Sequence, residues 1–173
     1  PEFQEKLDWV EQFCKEEVEP LHYVFPYAVR SPDPKVKEYV RGLQQQVKDQ
    51  GLWAIFLDEE LGGPGFGQLK LGLLNEIIGK YPAAPQLFGA AAPDTGNMEV
   101  LERVGTPEQK AEWLEPLLAG QIRSAFAMTE PDVASSDAIN IQTRIERQGD
   151  EYVINGRKWF ITNASHPDCR LFI

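Results

Sequence analysis

The sequence predicts an α+β fold, with an N-terminal all-α domain over residues 1–120 and the beginning of a β-domain over residues 121–173. Three observations carry that prediction. Up to Leu118, apolar residues recur at helical spacing, with charged residues between them. Beyond Asn140 they alternate instead: Ile141, Thr143 and Ile145 against Gln142, Arg144 and Glu146, the pattern of a half-buried strand. Between the two regimes, Gly120 closes the last helical run, and the domain boundary is placed there.

The elements follow in order. Phe3, Leu7, Val10, Cys14 and Val18 define a first amphipathic helix, expected to end near Glu19-Pro20. Residues 21–33 carry Pro26 and Pro32 and read as a connector. Asp33 as cap and Pro34 in the first helical position open a second helix, with Val36, Val40, Leu43 and Val47 on its apolar face and Gly51 as its stop. Leu52 to Leu57 is a short apolar run. Gly62 to Gly67 superficially resembles a phosphate loop, but no clear strand precedes it and no Gly-Lys-Ser or Gly-Lys-Thr follows. It reads as a loop before a third helix built on Leu69, Leu73, Leu74, Ile77 and Ile78, apolar enough to be expected at the centre of the domain. Tyr81 to Pro93 is small and apolar. Thr106-Pro107-Glu108-Gln109 is a capping box that starts a helix with Trp113, Leu114, Leu117 and Leu118 on its buried face.

The stretch from Phe126 to Asn163 holds the candidate site. Ala125 to Thr129 reads as a strand stopped by Glu130-Pro131. The residues from Asp132 to Asp137 are small and hydroxyl-rich, and turns of this kind form anion-binding concavities. Gln148-Gly149-Asp150 is a turn, Tyr152 to Ile154 a return strand, and Asn155-Gly156 a hairpin signal. Lys158 to Thr162 reads as a further strand. Two strand ends thus each present a threonine, Thr129 or Thr162, beside a bulky apolar side chain. On pattern alone these read as strand-end threonines and core aromatics.

The net charge of −10 excludes a nucleic-acid footprint, which needs clustered Lys and Arg. It also opposes binding to an anionic membrane surface. No apolar run approaches the roughly 20 residues of a membrane span, and no signal-peptide pattern appears. Pro1 reads as a trimmed start, which leaves an upstream targeting segment open. Cys14 and Cys169 lack CxxC spacing and are expected to be reduced thiols in an intracellular protein. His22 is a lone loop histidine.

FAMTEP followed by a Ser-Asp, then NGRKWFITN about thirty residues on, resembles the acyl-CoA dehydrogenase family. So do the run from Gly105 to Lys110 and the segment from Asp58 to Gly67. The order matches along nearly the whole chain. Ala92 to Met98 is most similar to the subgroup that in animals carries an extra kinase-like domain. The resemblance implies a middle β-barrel or β-sandwich ahead of a C-terminal helical bundle. It also implies FAD as cofactor and α,β-dehydrogenation of an acyl-CoA thioester. Chains of this family are longer, and the resemblance places the catalytic base, a glutamate, beyond residue 173. It further implies an electron-transferring flavoprotein as acceptor and a homodimer or homotetramer. The expected location is the cytoplasm in a bacterium, or the mitochondrial matrix or peroxisome in a eukaryote.

Carried over residue by residue, the resemblance makes Phe126, Met128 and Thr129 line the flavin, with the Thr129 hydroxyl at the pyrimidine edge. Phe160 and Ile161 flank the ring, and Thr162 hydrogen-bonds near N5. Ser135 and Ser136 contact cofactor and acyl-CoA, with Ser136 the substrate contact. One extra residue after Pro131 lets the two serines trade roles. Phe160 stands where many members have Trp, and Met128 replaces a smaller residue. Glu130 is a base candidate by position only, against a reading as a strand-end acid in a hydrogen-bond network. Asp94, Thr95 and Asn97 read as a helix cap with surface polarity, or as groups facing a polar substituent on the acyl chain. Two alternatives stay open: a flavin oxidase or monooxygenase on the same scaffold, and a non-catalytic helical interaction module.

Overall fold

The computed structural model describes residues 2–134 and 137–173. Helices α1 (Glu2–Phe13) and α2 (Glu19–Val24) run on from one another through a π-helical segment, Cys14–Val18. The first helix therefore does not end at Glu19-Pro20. The wider π turn lets the Glu19 N–H reach the Cys14 carbonyl, and this shift in hydrogen-bond register accommodates Pro20, which has no N–H, in the first turn of α2. The same device recurs at a second Glu-Pro pair. Helix α7 (Pro107–Gln109) passes through a π segment, Lys110–Leu114, into α8 (Glu115–Leu118), with Pro116 in the first turn.

Between these lie α3 (Pro34–Asp49), α4 (Gly67–Ile78), α5 (Ala84–Leu87) and α6 (Asp94–Val104). The Asp33 carboxylate caps α3 by accepting from the Lys35 N–H. The Thr106 capping box is complete, with both reciprocal hydrogen bonds formed.

Val10, Cys14, Val18, Leu43, Val47, Leu52, Leu74, Leu87 and Phe88 form the main core beneath α1, α3, α4 and α5. Burial pushes the Cys14 thiol up to about 12, the state of an inert buried cysteine. Helix α4 is less central than its composition implies: Leu74 and Ile78 are buried, but Leu69 and Leu73 are exposed. A second cluster, Met98, Leu101, Leu114 and Leu117, is joined by Ile122, Leu171 and Ile173. It seats the strand region on α6 and α8. Among the described residues no helix is long and apolar enough to cross a membrane.

Among the described residues four strands follow. β1 (Arg123–Ala125) pairs in parallel with β4 (Cys169–Phe172), Ser124 opposite Leu171 and Ala125 opposite Phe172. β2 (Arg144–Gln148) and β3 (Glu151–Asn155) form a separate antiparallel ribbon. Its turn is the expected Gly149-Asp150, with Gly149 at φ +67°.

Four strand expectations are corrected. β1 ends at Ala125, so Phe126 to Thr129 lie beyond the ladder. Asn155-Gly156 is not a hairpin turn: Asn155 still pairs with Arg144. Gly156 serves a close approach, because a Cβ there would collide with the Thr143 side chain. Finally, Lys158 to Thr162 is not a strand. Phe160, in its middle, adopts φ +49°, outside the extended region. The ribbon is also exposed along all of β2, rather than half-buried.

Candidate functional site

The site is built where β1 releases the chain. The Ala127 N–H donates to the Ile173 carbonyl (2.6 Å), and the Ile173 N–H donates back to Ala125 (2.9 Å). This fixes the exit direction of residues 126–130. Residues 158–162 then come alongside, although no ladder joins them. The Trp159 N–H donates to the Thr129 carbonyl at 3.1 Å, and the Lys158 ammonium donates to the Met128 carbonyl at 2.9 Å. The Asn163 amide donates to the Ser124 carbonyl at 3.0 Å and closes the far end of the pair.

The structure thus brings Phe126, Met128, Thr129, Phe160, Ile161 and Thr162 onto two adjacent segments. Phe126 is 48% and Phe160 83% exposed, so neither is a core aromatic. The Trp159 and Phe160 rings lie against each other with centroids 4.7 Å apart. Met128, Thr129 and Ile161 are half-buried and Thr162 is exposed. Ser135 and Ser136 lie outside the described residues. Exposed rings beside threonine hydroxyls on a rigidly tied pair of segments suit a flat ligand with a polar edge. The residues fit a flavin ring in that sense.

Glu130 is the joint of the site. Its carboxylate is buried and accepts from the Thr143 hydroxyl (2.5 Å), the Gln142 N–H (2.7 Å), the Thr143 N–H (2.9 Å) and the Lys158 ammonium (2.9 Å). The Thr143 hydroxyl first, and then the Gln142 N–H and Lys158, hold the carboxyl down to about 2. A carboxylate that stays ionised and fully engaged has little capacity to take up a proton. The hydrogen-bond-network reading of Glu130 is the one its contacts match.

A second polar cluster joins α6 to β1. Asp94 and Asn97 are buried, not surface groups. The Asp94 carboxylate accepts from the Ser124 N–H (2.8 Å) and hydroxyl (2.7 Å), with the Arg123 guanidinium against its other oxygen. The Asn97 amide donates to the Ser124 hydroxyl at 2.9 Å. These residues latch α6 to β1. Lys37 adds an outer tie, both carboxylate oxygens of Asp168 lying 2.9 Å from its ammonium. A readable signal did exist for α6: two amide- or acid-bearing residues three apart point to one helix face. Lys158 had a weaker one, a charge set directly before two aromatic residues. Among the described residues no cluster of metal ligands occurs.

Two family models match the chain. Residues 1–121 match the acyl-CoA dehydrogenase N-terminal domain, and residues 125–173 match the acyl-CoA dehydrogenase middle domain. Acyl-CoA dehydrogenase family member 11 of Gallus gallus is 46% identical over 175 residues, covering 98% of this chain and 22% of that protein. A solved Mycobacterium abscessus structure assigned to the acyl-CoA dehydrogenases is 43% identical, with a TM-score of 0.87 over 99% of this chain and 44% of that one. A glutaryl-CoA dehydrogenase of Mycobacterium smegmatis, solved in complex with FADH2, shares the fold at 24% identity and a TM-score of 0.64, over 95% of this chain and 40% of that one. The chain spans about a fifth of the Gallus gallus relative (22%) and under half of the solved structures (44% and 40%). With one domain model after the other matched along almost its full extent, the chain belongs to the acyl-CoA dehydrogenase family.

Proposed function

We propose that this chain supplies the helical wall and one face of a flavin site in an enzyme that dehydrogenates acyl-CoA thioesters between Cα and Cβ. The observation that carries the reading is the pairing of residues 126–130 with 158–162 through Thr129, Trp159 and Lys158, which leaves Phe126 and Phe160 open to a ligand. Family membership supports FAD as the ligand. FAD, when bound, supplies the hydride acceptor for the β hydrogen.

The chain's own residues bind and orient. Phe126, Met128, Phe160 and Ile161 offer apolar surface to the ring. The Thr129 and Thr162 hydroxyls meet its polar edge, with Thr162 near N5. Ser135 and Ser136 remain assigned to cofactor and acyl-CoA contacts, Ser136 to the substrate. Glu130 is not assigned the α proton, because it already takes four hydrogen bonds; the family resemblance supports a glutamate outside residues 1–173 as the acceptor. The division into a helical unit over 1–120 and a strand-bearing unit over 121–173, an electron-transferring flavoprotein as acceptor, and a homodimer or homotetramer belong to the same proposal. So does the cytoplasm of a bacterium, or the mitochondrial matrix or peroxisome of a eukaryote, as its site of action.

The test is an absorbance spectrum of the intact, gently purified protein, followed by anaerobic addition of acyl-CoA. A flavin spectrum that bleaches on addition is the expected result. A colourless protein that takes up no added FAD overturns the reading in favour of a non-catalytic module. Rapid stoichiometric peroxide on admitting air to the reduced protein moves it to an oxidase. Within that assay, Thr162→Val is expected to slow flavin reduction by about tenfold, the worth of one hydrogen bond to a charge-accepting atom, without a change in Tm. Unchanged reduction kinetics remove Thr162 from the site.

A further inference from the structure

Resting on the flavin reading above, we infer that Lys158 and Glu130 are positioning residues: their ion pair sets the separation and orientation of the two segments that contact the ring. The pair is enclosed, with side-chain exposures of 21% for Lys158 and 4% for Glu130. Lys158 makes two bonds at 2.9 Å, one to the Glu130 carboxylate and one to the Met128 carbonyl. Glu130 in turn gathers Gln142 and Thr143, which lead into β2. One ammonium and one carboxylate therefore join three stretches of chain that share no sheet.

The consequence for the ligand follows from peptide geometry. In a planar trans peptide the C=O and N–H point in opposite directions. The Met128 carbonyl is held by Lys158, so the Thr129 N–H on the same plane points away from the joint. The Thr129 carbonyl is held by the Trp159 N–H at 3.1 Å, which aims the Glu130 N–H away in the same manner. Two successive backbone donors are fixed in direction before any ligand arrives. The same lysine precedes Trp159 and Phe160 directly. With its side chain anchored inward, both rings remain on the surface, helped by the positive φ of Phe160. An apolar side chain at 158 would leave the Glu130 carboxylate buried beside no cation and the Met128 carbonyl without its donor.

The experiment uses the intact protein loaded with FAD. Lys158→Met is expected to raise the FAD dissociation constant by about tenfold, the equivalent of one charge-assisted hydrogen bond. It is also expected to change the visible circular dichroism of the bound flavin, which reports ring placement. Lys158→Arg, which keeps the charge and can fork to both oxygens, is expected to restore both. A joint that serves stability alone lowers Tm but leaves affinity and the flavin spectrum of the folded fraction as in wild type; that result overturns the inference. If Lys158→Met does not fold, Lys158→Gln is read instead, which removes the ion pair but keeps an N–H donor on the side chain for the Met128 carbonyl. It is expected to shift affinity in the same direction by about threefold, and no shift overturns the inference equally. A wild-type protein that takes up no FAD removes the functional reading and this inference together. A yellow wild type with an unaltered Lys158→Met removes this inference alone.

Discussion

Leu43 in α3 and Ile145 in β2 are similar in size and apolarity, yet Leu43 is 2% exposed and Ile145 is 63% exposed. Ile145 faces Ile154 across the ribbon, and that partner is 65% exposed as well. The helices are placed by apolar faces that meet other apolar faces, as Leu43, Leu74 and Leu87 show. The ribbon is placed from its root, where Glu130 takes the Gln142 and Thr143 N–H groups just ahead of β2. Burial positions one region and a charged hydrogen-bond joint positions the other. The candidate site lies on the second, where direction matters more than area: hydrogen bonds are angular and the hydrophobic effect is not.

The strongest way to sharpen this contrast is to remove side-chain volume from the helical core. Leu43→Ala in the 173-residue chain is expected to cost about 2–5 kcal/mol, the range for a large-to-small change in a packed core. Urea unfolding followed by far-ultraviolet circular dichroism measures it. A loss below about 1 kcal/mol would mean the core is loose enough to collapse around the gap, and the first half of the comparison would fail.

The same contrast governs what was legible beforehand. Periodic apolar faces and caps were readable, so α3 from Asp33-Pro34 and the Thr106 capping box were anticipated in detail. Each rests on neighbours three or four residues away. The polar joints were less visible because their partners are distant in sequence: Lys158 reaches back to Met128, and Asp94 forward to Ser124. No local period announces such pairs. The expected strand over Lys158 to Thr162 failed for a related reason. Its composition favours a strand, but Lys158 is drawn inward to Glu130 and Phe160 adopts φ +49°. The tertiary tie overrides the local preference. Both site segments were nevertheless singled out, on the strength of family motifs rather than periodicity. The first helical run was ended at Glu19-Pro20, although it continues through the π segment into α2, because proline ordinarily ends a helix and a π turn that restarts one has no sequence signature of its own.

A smaller effect should appear on acidification and belongs to the ribbon root alone. Glu130 sits near 2 in the fold against an ordinary value of 4.5. A carboxyl held low contributes stability that is fully present above its unfolded value and disappears as pH falls through its folded value. The contribution is therefore complete above about 4.5 and gone below about 2. Glu130→Gln is expected to be less stable than wild type at neutral pH, with the difference closing across that window. Urea midpoints from pH 7 down to about 2 would show it. A difference that stays constant over the window would assign the loss to packing rather than charge.

The smallest effect tests the ribbon's exposed face. Ile145→Ser in the same 173-residue chain is expected to stay within about 0.5 kcal/mol of wild type, as for substitutions at open surface positions. The one interaction at risk is the cross-strand contact with Ile154, and such pairs contribute roughly 0.2–1 kcal/mol. The unfolding midpoint of this variant, set beside that of Leu43→Ala, makes the comparison quantitative. A loss of about 2 kcal/mol or more, the scale of a fully buried aliphatic side chain, would require an apolar surface lying over the ribbon. The two regions would then be held by the same force, and the Glu130 joint would orient the site without being what keeps the ribbon in place.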